Sequence, residues 1–181
     1  MAVVVALLAL VLTLSLESFS AYERAAAGSD RRQEQLAQGR LMMAVLTKDL
    51  RTATKLTAIG GSDVTFLATL NTAAATSPPN QLRLYVDAQG RLVEAVTPPD
   101  DPAATPVTYT GTPTTRVVGT DVTGAASLFT FKDPSDQPTT TPGAVASVAL
   151  SLSVSTSTDA SVPPTTLTSQ VWLPNVAAAG S

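Results

Sequence analysis

The chain has 181 residues, with 11 Lys and Arg against 14 Asp and Glu, a net charge of −3, and neither His nor Cys. That balance offers no basic surface for nucleic acid or anionic lipid; the missing Cys excludes disulfides, and the missing His removes the commonest general base and metal ligand. Beyond its apolar start the chain has room for one modest globular domain.

In chain order, residues 1–16 carry no charge and residues 2–12 are apolar on every face of a helix, so this segment seeks lipid or the apolar interior of an assembly. Val3, Val4, Leu7, Leu8, Leu10, Val11 and Leu14 are the candidate contact surface toward membrane or assembly neighbours. As a helix the segment spans roughly 24 Å, short of the roughly 30 Å of bilayer hydrocarbon. Two readings fit: a signal-peptide core cut near Ser18-Phe19-Ser20, or an uncleaved membrane helix whose first turns precede Met1. The second is favoured, because nothing basic precedes Arg24 and the helical pattern runs on to Leu56 without a Pro.

Of the 25 charged residues, 12 fall between Glu17 and Lys55, giving that stretch a net +2 and the remainder −5. Leu36, Met43, Leu46, Leu50 and Ala53, with Gly39 in the remaining slot, form one amphipathic stripe that predicts packing on the chain's own domain. Gly60-Gly61 closes the helical region. The expected division is therefore a helix over 1–58, with a membrane or filament-core half at 1–16 and an amphipathic half at 17–58, followed by an antiparallel β domain over 59–181.

From Asp63 the period changes to two. Leu82, Leu84 and Val86, then Leu92, Glu94 and Val96 across Ala88-Gln89-Gly90, predict a hairpin. Val148, Leu150, Leu152 and Val154 predict a half-buried strand that pairs with 167–173. Residues 64–70, 115–118 and 128–132 are weaker strand candidates, and Pro-rich segments separate them. The expected fold class is α+β: a long protruding N-terminal α-helix packed on one antiparallel β-sheet. A helix of that length would measure about 87 Å, more than the body is wide, so its first half should stand clear.

This plan resembles the type IV pilin superfamily, and the residues narrow it to minor pilins and pseudopilins of the GspJ and PilW type. Residues 40–53 (Arg-Leu-Met-Met-Ala-Val-Leu-Thr-Lys-Asp-Leu-Arg-Thr-Ala) resemble the helix end of that group, 82–87 with 90–92 its hairpin, 127–133 the following strand, and 145–154 with 167–175 the closing pair. The order of these pieces is more specific than any one of them. The family's processing signature, a Gly followed by Phe and a Glu at the fifth mature position, is not present; the first acid is Glu17. The resemblance implies that Met1 falls about nine residues into the mature chain, and restoring those turns would lengthen the apolar run to about 25 residues, enough to span.

The resemblance implies a structural minor pilin or pseudopilin of a type IV pilus or type II secretion pseudopilus. It would be anchored single-pass in the inner (cytoplasmic) membrane with its globular domain outside the cytoplasm, and its partners would be other pilin-like subunits and inner-membrane lipid. The alternative is a tethered or secreted β-rich surface binding module. No enzyme is expected, and no catalytic, cofactor or metal residue is assigned. Ser and Thr have no His to activate them, Lys48, Lys55 and Lys132 sit in no motif, and 119–124 has two glycines but no Lys. Asp100, Asp101, Asp133 and Asp136 match no calcium loop and are expected as solvated turn acids. Trp172, the single Trp, is expected to cap the core.

Overall fold

Alternating apolar residues, rather than helix formers, dominate beyond residue 52, and the strands accordingly all lie there. The computed structural model describes residues 2–69, 78–156 and 163–177; within the helix, side chains ahead of Gly28 are described only at 15–17 and 19. The elements in order are α1 (Ala2–Arg51), β1 (Ala53–Ile59), β2 (Asp63–Ala68), β3 (Asn80–Val86), β4 (Leu92–Thr97), β5 (Thr114–Gly119), β6 (Val122–Thr123), β7 (Phe129–Lys132), β8 (Ser147–Val154), β9 (Thr165–Trp172) and α2 (Pro174–Ala177).

The strands form two antiparallel sheets. The first is a meander, β1-β2-β3-β4-β5. In the second, β8 pairs with β9 over its whole length on one side, and with β7 and then β6 on the other. The hairpin expected at 82–96 forms as β3 and β4, and the expected pairing of the last two strands forms as β8 and β9. Val148, Leu150, Leu152 and Val154 turn inward, as their alternation demands. They share one apolar core with Phe66, Leu82 and Leu84 of the first sheet and with Met42, Leu46 and Leu50 of α1.

The expected fold class is thereby corrected. A long helix packed on one sheet is not what the chain builds. It builds two sheets, and the helix buries side chains against them only from Gln35 to Leu50. The helix also stops earlier than residue 58. Thr52 closes it, donating from both its N–H and its Oγ1 to the Asp49 carbonyl at 3.0 and 2.7 Å. Residues 53–59 then run as strand, favoured by β-branched Thr54, Thr57 and Ile59.

The inner-membrane location and transmembrane helix are corrected as well. Among the described residues no helix is long and apolar enough to cross a membrane. The physical reason is plain over residues 31–51, where Arg31, Arg32, Glu34, Arg40, Lys48, Asp49 and Arg51 are too many charges for hydrocarbon. The side chains assigned to membrane or filament contact, Val3, Val4, Leu7, Leu8, Leu10, Val11 and Leu14, lie outside the described ones.

The two sheets also meet through their loops. The Phe129 N–H donates to the Gly61 carbonyl at 2.9 Å, and a Cβ at Gly61 would collide with the Ala126 carbonyl oxygen. Backbone cannot swing aside as a side chain can. Gly61→Ala is therefore expected to cost about 1–3 kcal/mol through the forced shift, read from a urea denaturation midpoint; an unchanged midpoint would mean the loops part freely.

Candidate functional site

The surfaces with functional potential lie where α1 sits on the β body. Its buried line is Gln35, Gly39, Met42, Leu46 and Asp49, an alternating four-three spacing, with Leu50 beside it. Of the stripe read from sequence, Leu46, Leu50 and Ala53 are buried, Ala53 as the first residue of β1. Leu36 and Met43 are only half-buried, because the true line runs one residue earlier through Gln35 and Met42.

Two glycines let the helix close on both sheets. Gly39 has no Cβ where the Leu167 side chain of β9 presses against the helix, and Gly119 at the end of β5 leaves room for the Met42 thioether. Hydrogen bonds pin each flank. Gln35 accepts from Thr165 Oγ1 at 2.9 Å, and Gln38 donates to the Thr120 carbonyl and hydroxyl at 3.2 and 3.0 Å. The Gln35 Nε2 is buried without a partner.

At the helix end lies an ionic cluster. Asp49 is buried with its Oδ2 unpartnered. Desolvation, helped by the nearby Glu94 charge, pushes its carboxyl from 3.8 up to about 6, against the opposing pull of Arg116 and Lys48. Glu94 of β4 is buried and faces Arg116 across the β4/β5 ladder; Arg116 donates to its Oε2 from Nε at 3.0 Å and from Nη2. That bond and the Glu94 charge raise Arg116 further above its ordinary value.

Beside the cluster, between α1 and β9, runs an open groove of about 570 Å³. Met43, Ala44 and Leu167 form its apolar part, and Arg40, Lys48 and Arg51 its charged rim. No acidic side chain lines it, and these three cations form no ion pair among the described residues. Two smaller hollows, about 390 Å³ on the outer face of β8 and β9 and about 280 Å³ near Gly60 and Phe131, are lined mostly by hydroxyls, amides and apolar groups.

The acidic loops serve as staples. Asp100 accepts from the N–H groups of Thr110 and Gly111, and the Thr110 N–H bond leads the effects that hold its carboxyl below the ordinary value. Asp133 accepts from Ser135 and Gln137, and Asp136 pairs with Lys132 at 2.9 Å. Among the described residues no three Asp or Glu side chains gather as a metal site would need. Trp172, expected as a core cap, is instead 59% exposed, since its position in β9 points outward.

Sequence reasoning gave Gln35, Asp49 and Glu94 no role in a site. Only Glu94 left a readable trace, an acid sharing the parity of Leu92 and Val96 in a strand. No protein-family model matches the chain and no curated sequence does, so these comparisons tie it to neither a pilus nor a secretion system.

Proposed function

We propose that the chain is a structural, non-catalytic subunit that assembles with other pilin-like subunits through its N-terminal helix. The observation that carries this reading is the exposure of Leu16 and Phe19, 65% and 62%, on the helix ahead of the stretch that packs on the β body. Burying a side chain of this size is worth about 1.5–3 kcal/mol, so two on one helix give neighbouring subunits a substantial reason to pack there. The ordered resemblance from residue 40 to 175 supports the same reading, as does a surface rich in Ser and Thr but without a His to make them nucleophiles.

The test compares the full chain with a double Leu16→Glu, Phe19→Glu variant, both expressed in the native host. The wild-type chain should sediment with related subunits in a high-speed pellet, and the variant should stay in the supernatant while keeping the wild-type melting temperature. Equal sedimentation of the two, or a wild-type chain that never sediments, would overturn the reading.

A further inference from the structure

Edge strands expose unpaired backbone donors and acceptors, and folded proteins protect them with charge, Pro, bulges, shortness or a helix or loop laid over the edge. The outer strands of this protein differ in that respect. β1 is interrupted twice in its register with β2 and carries Lys55; β5 carries Arg116 and pairs with β4 through an irregularity at Leu92 and Val93. β6 and β7 are two and four residues long. β9 has none of these devices in its own sequence: it runs eight residues in unbroken register with β8, contains no charge and no Pro, pairs with no other described strand, and has beside it only α1 among the described residues, in contact at Gln35 and Gly39.

The groove beside α1 opens on that edge. Leu167 and Thr168 are consecutive, so their side chains leave opposite faces of the strand, yet both line the groove; it therefore wraps the margin of β9. Across it stand Arg40, Lys48 and Arg51. The eleven helical steps from Arg40 to Arg51 rise roughly 17 Å, the length of about five extended residues. Three cations without an acid among them are notable in a chain of net charge −3.

We propose that the groove between α1 and β9 receives an extended acidic segment of a neighbouring subunit, which adds to β9 as a further antiparallel or parallel strand and sets its carboxylates against Arg40, Lys48 and Arg51. Backbone bonds to the β9 edge supply affinity, and the cationic rim supplies selectivity for acidic sequence. The neighbouring subunit as donor rests on the assembly reading above; the acceptor site itself does not.

The probe is a fluorescein-labelled peptide of roughly eight residues alternating Glu and Val, matched to the β9 length, with a Lys-Val peptide as control. Titrated with the full chain, the Glu-Val peptide should raise anisotropy in a salt-sensitive way and slow amide hydrogen exchange across 165–172. Reversing the rim by Arg40→Glu, Lys48→Glu and Arg51→Glu together should weaken binding at least about tenfold, with the melting temperature as the check on folding. Thr168→Glu, an exposed position, should weaken it in the same direction. Equal binding of the Lys-Val peptide, binding that leaves 165–172 unprotected, or protection of that strand by anionic phosphatidylglycerol vesicles but not by peptide would each overturn the proposal. Peptide binding with no sedimentation would sink the assembly reading and its donor while leaving the acceptor groove; sedimentation with no peptide binding would sink the groove alone.

Discussion

Leu46→Ala is expected to lower the unfolding free energy by about 2–5 kcal/mol, the range for a buried Leu truncated in a core that collapses only partly. Leu46 is fully buried at the centre of the seated helix face and belongs to the core that unites both sheets. The space it fills is bounded by elements far apart in sequence, so little can move in to replace it. Against a total stability of about 5–15 kcal/mol for a domain of this kind, the variant should melt well below the wild type. Leu41, five residues earlier and 63% exposed, is the internal control. Leu41→Ala is expected to change stability by about 0.5 kcal/mol or less. Equal losses at the two positions, measured by urea denaturation, would mean that the helix face is not seated as described.

The second large effect is a pH dependence centred on Asp49. Its carboxyl titrates at about 6 in the folded protein against 3.8 ordinarily. Between those values the folded form holds a proton that the unfolded chain has released, so raising the pH favours unfolding. Its contribution is fully present below pH 3.8, declines through the interval up to about 6 and is lost above it. A shift of two units corresponds to about 3 kcal/mol. Asp49→Asn cannot ionise and should remove this slope: the variant should match the wild type near pH 4 and exceed it at pH 7.5 by up to that amount. Parallel stability curves for the two proteins between pH 4 and 7.5 would contradict it. Burial is the main cause of the effect; the Glu94 charge beside Asp49 adds to it and Arg116 offsets it.

β8 and its pairing with β9 were readable because one face of β8 is wholly apolar and its period is strictly two, whereas the two-residue β6 left no such pattern. The end of the helix was not. Leu50, Ala53 and Leu56 fall three apart and imitate a helical stripe, while two register breaks in β1 hide its alternation. The helix face was misplaced by one residue for a related reason. The buried line includes Gln35 and Asp49, and a stripe traced through apolar residues alone rotates away from them toward Leu36 and Met43. Nor does local patterning distribute strands between sheets. In β4 both parities are buried, Leu92 and Glu94 on one and Val93 and Ala95 on the other, so it carries no clean sign of which face meets the core. The groove was illegible because it joins Arg40 to Leu167, positions that only the folded chain brings together.

Assembly through the helix ahead of the seated stretch is what the functional account stands on, and a photo-crosslinking residue placed at Phe19 tests it most directly. In the native host, irradiation is expected to yield covalent products joining this chain to other helix-bearing subunits, whereas the same residue at the buried position Leu46 should crosslink only within the chain. A Phe19 probe that leaves the protein monomeric, or links it only to its own β body, would contradict the account.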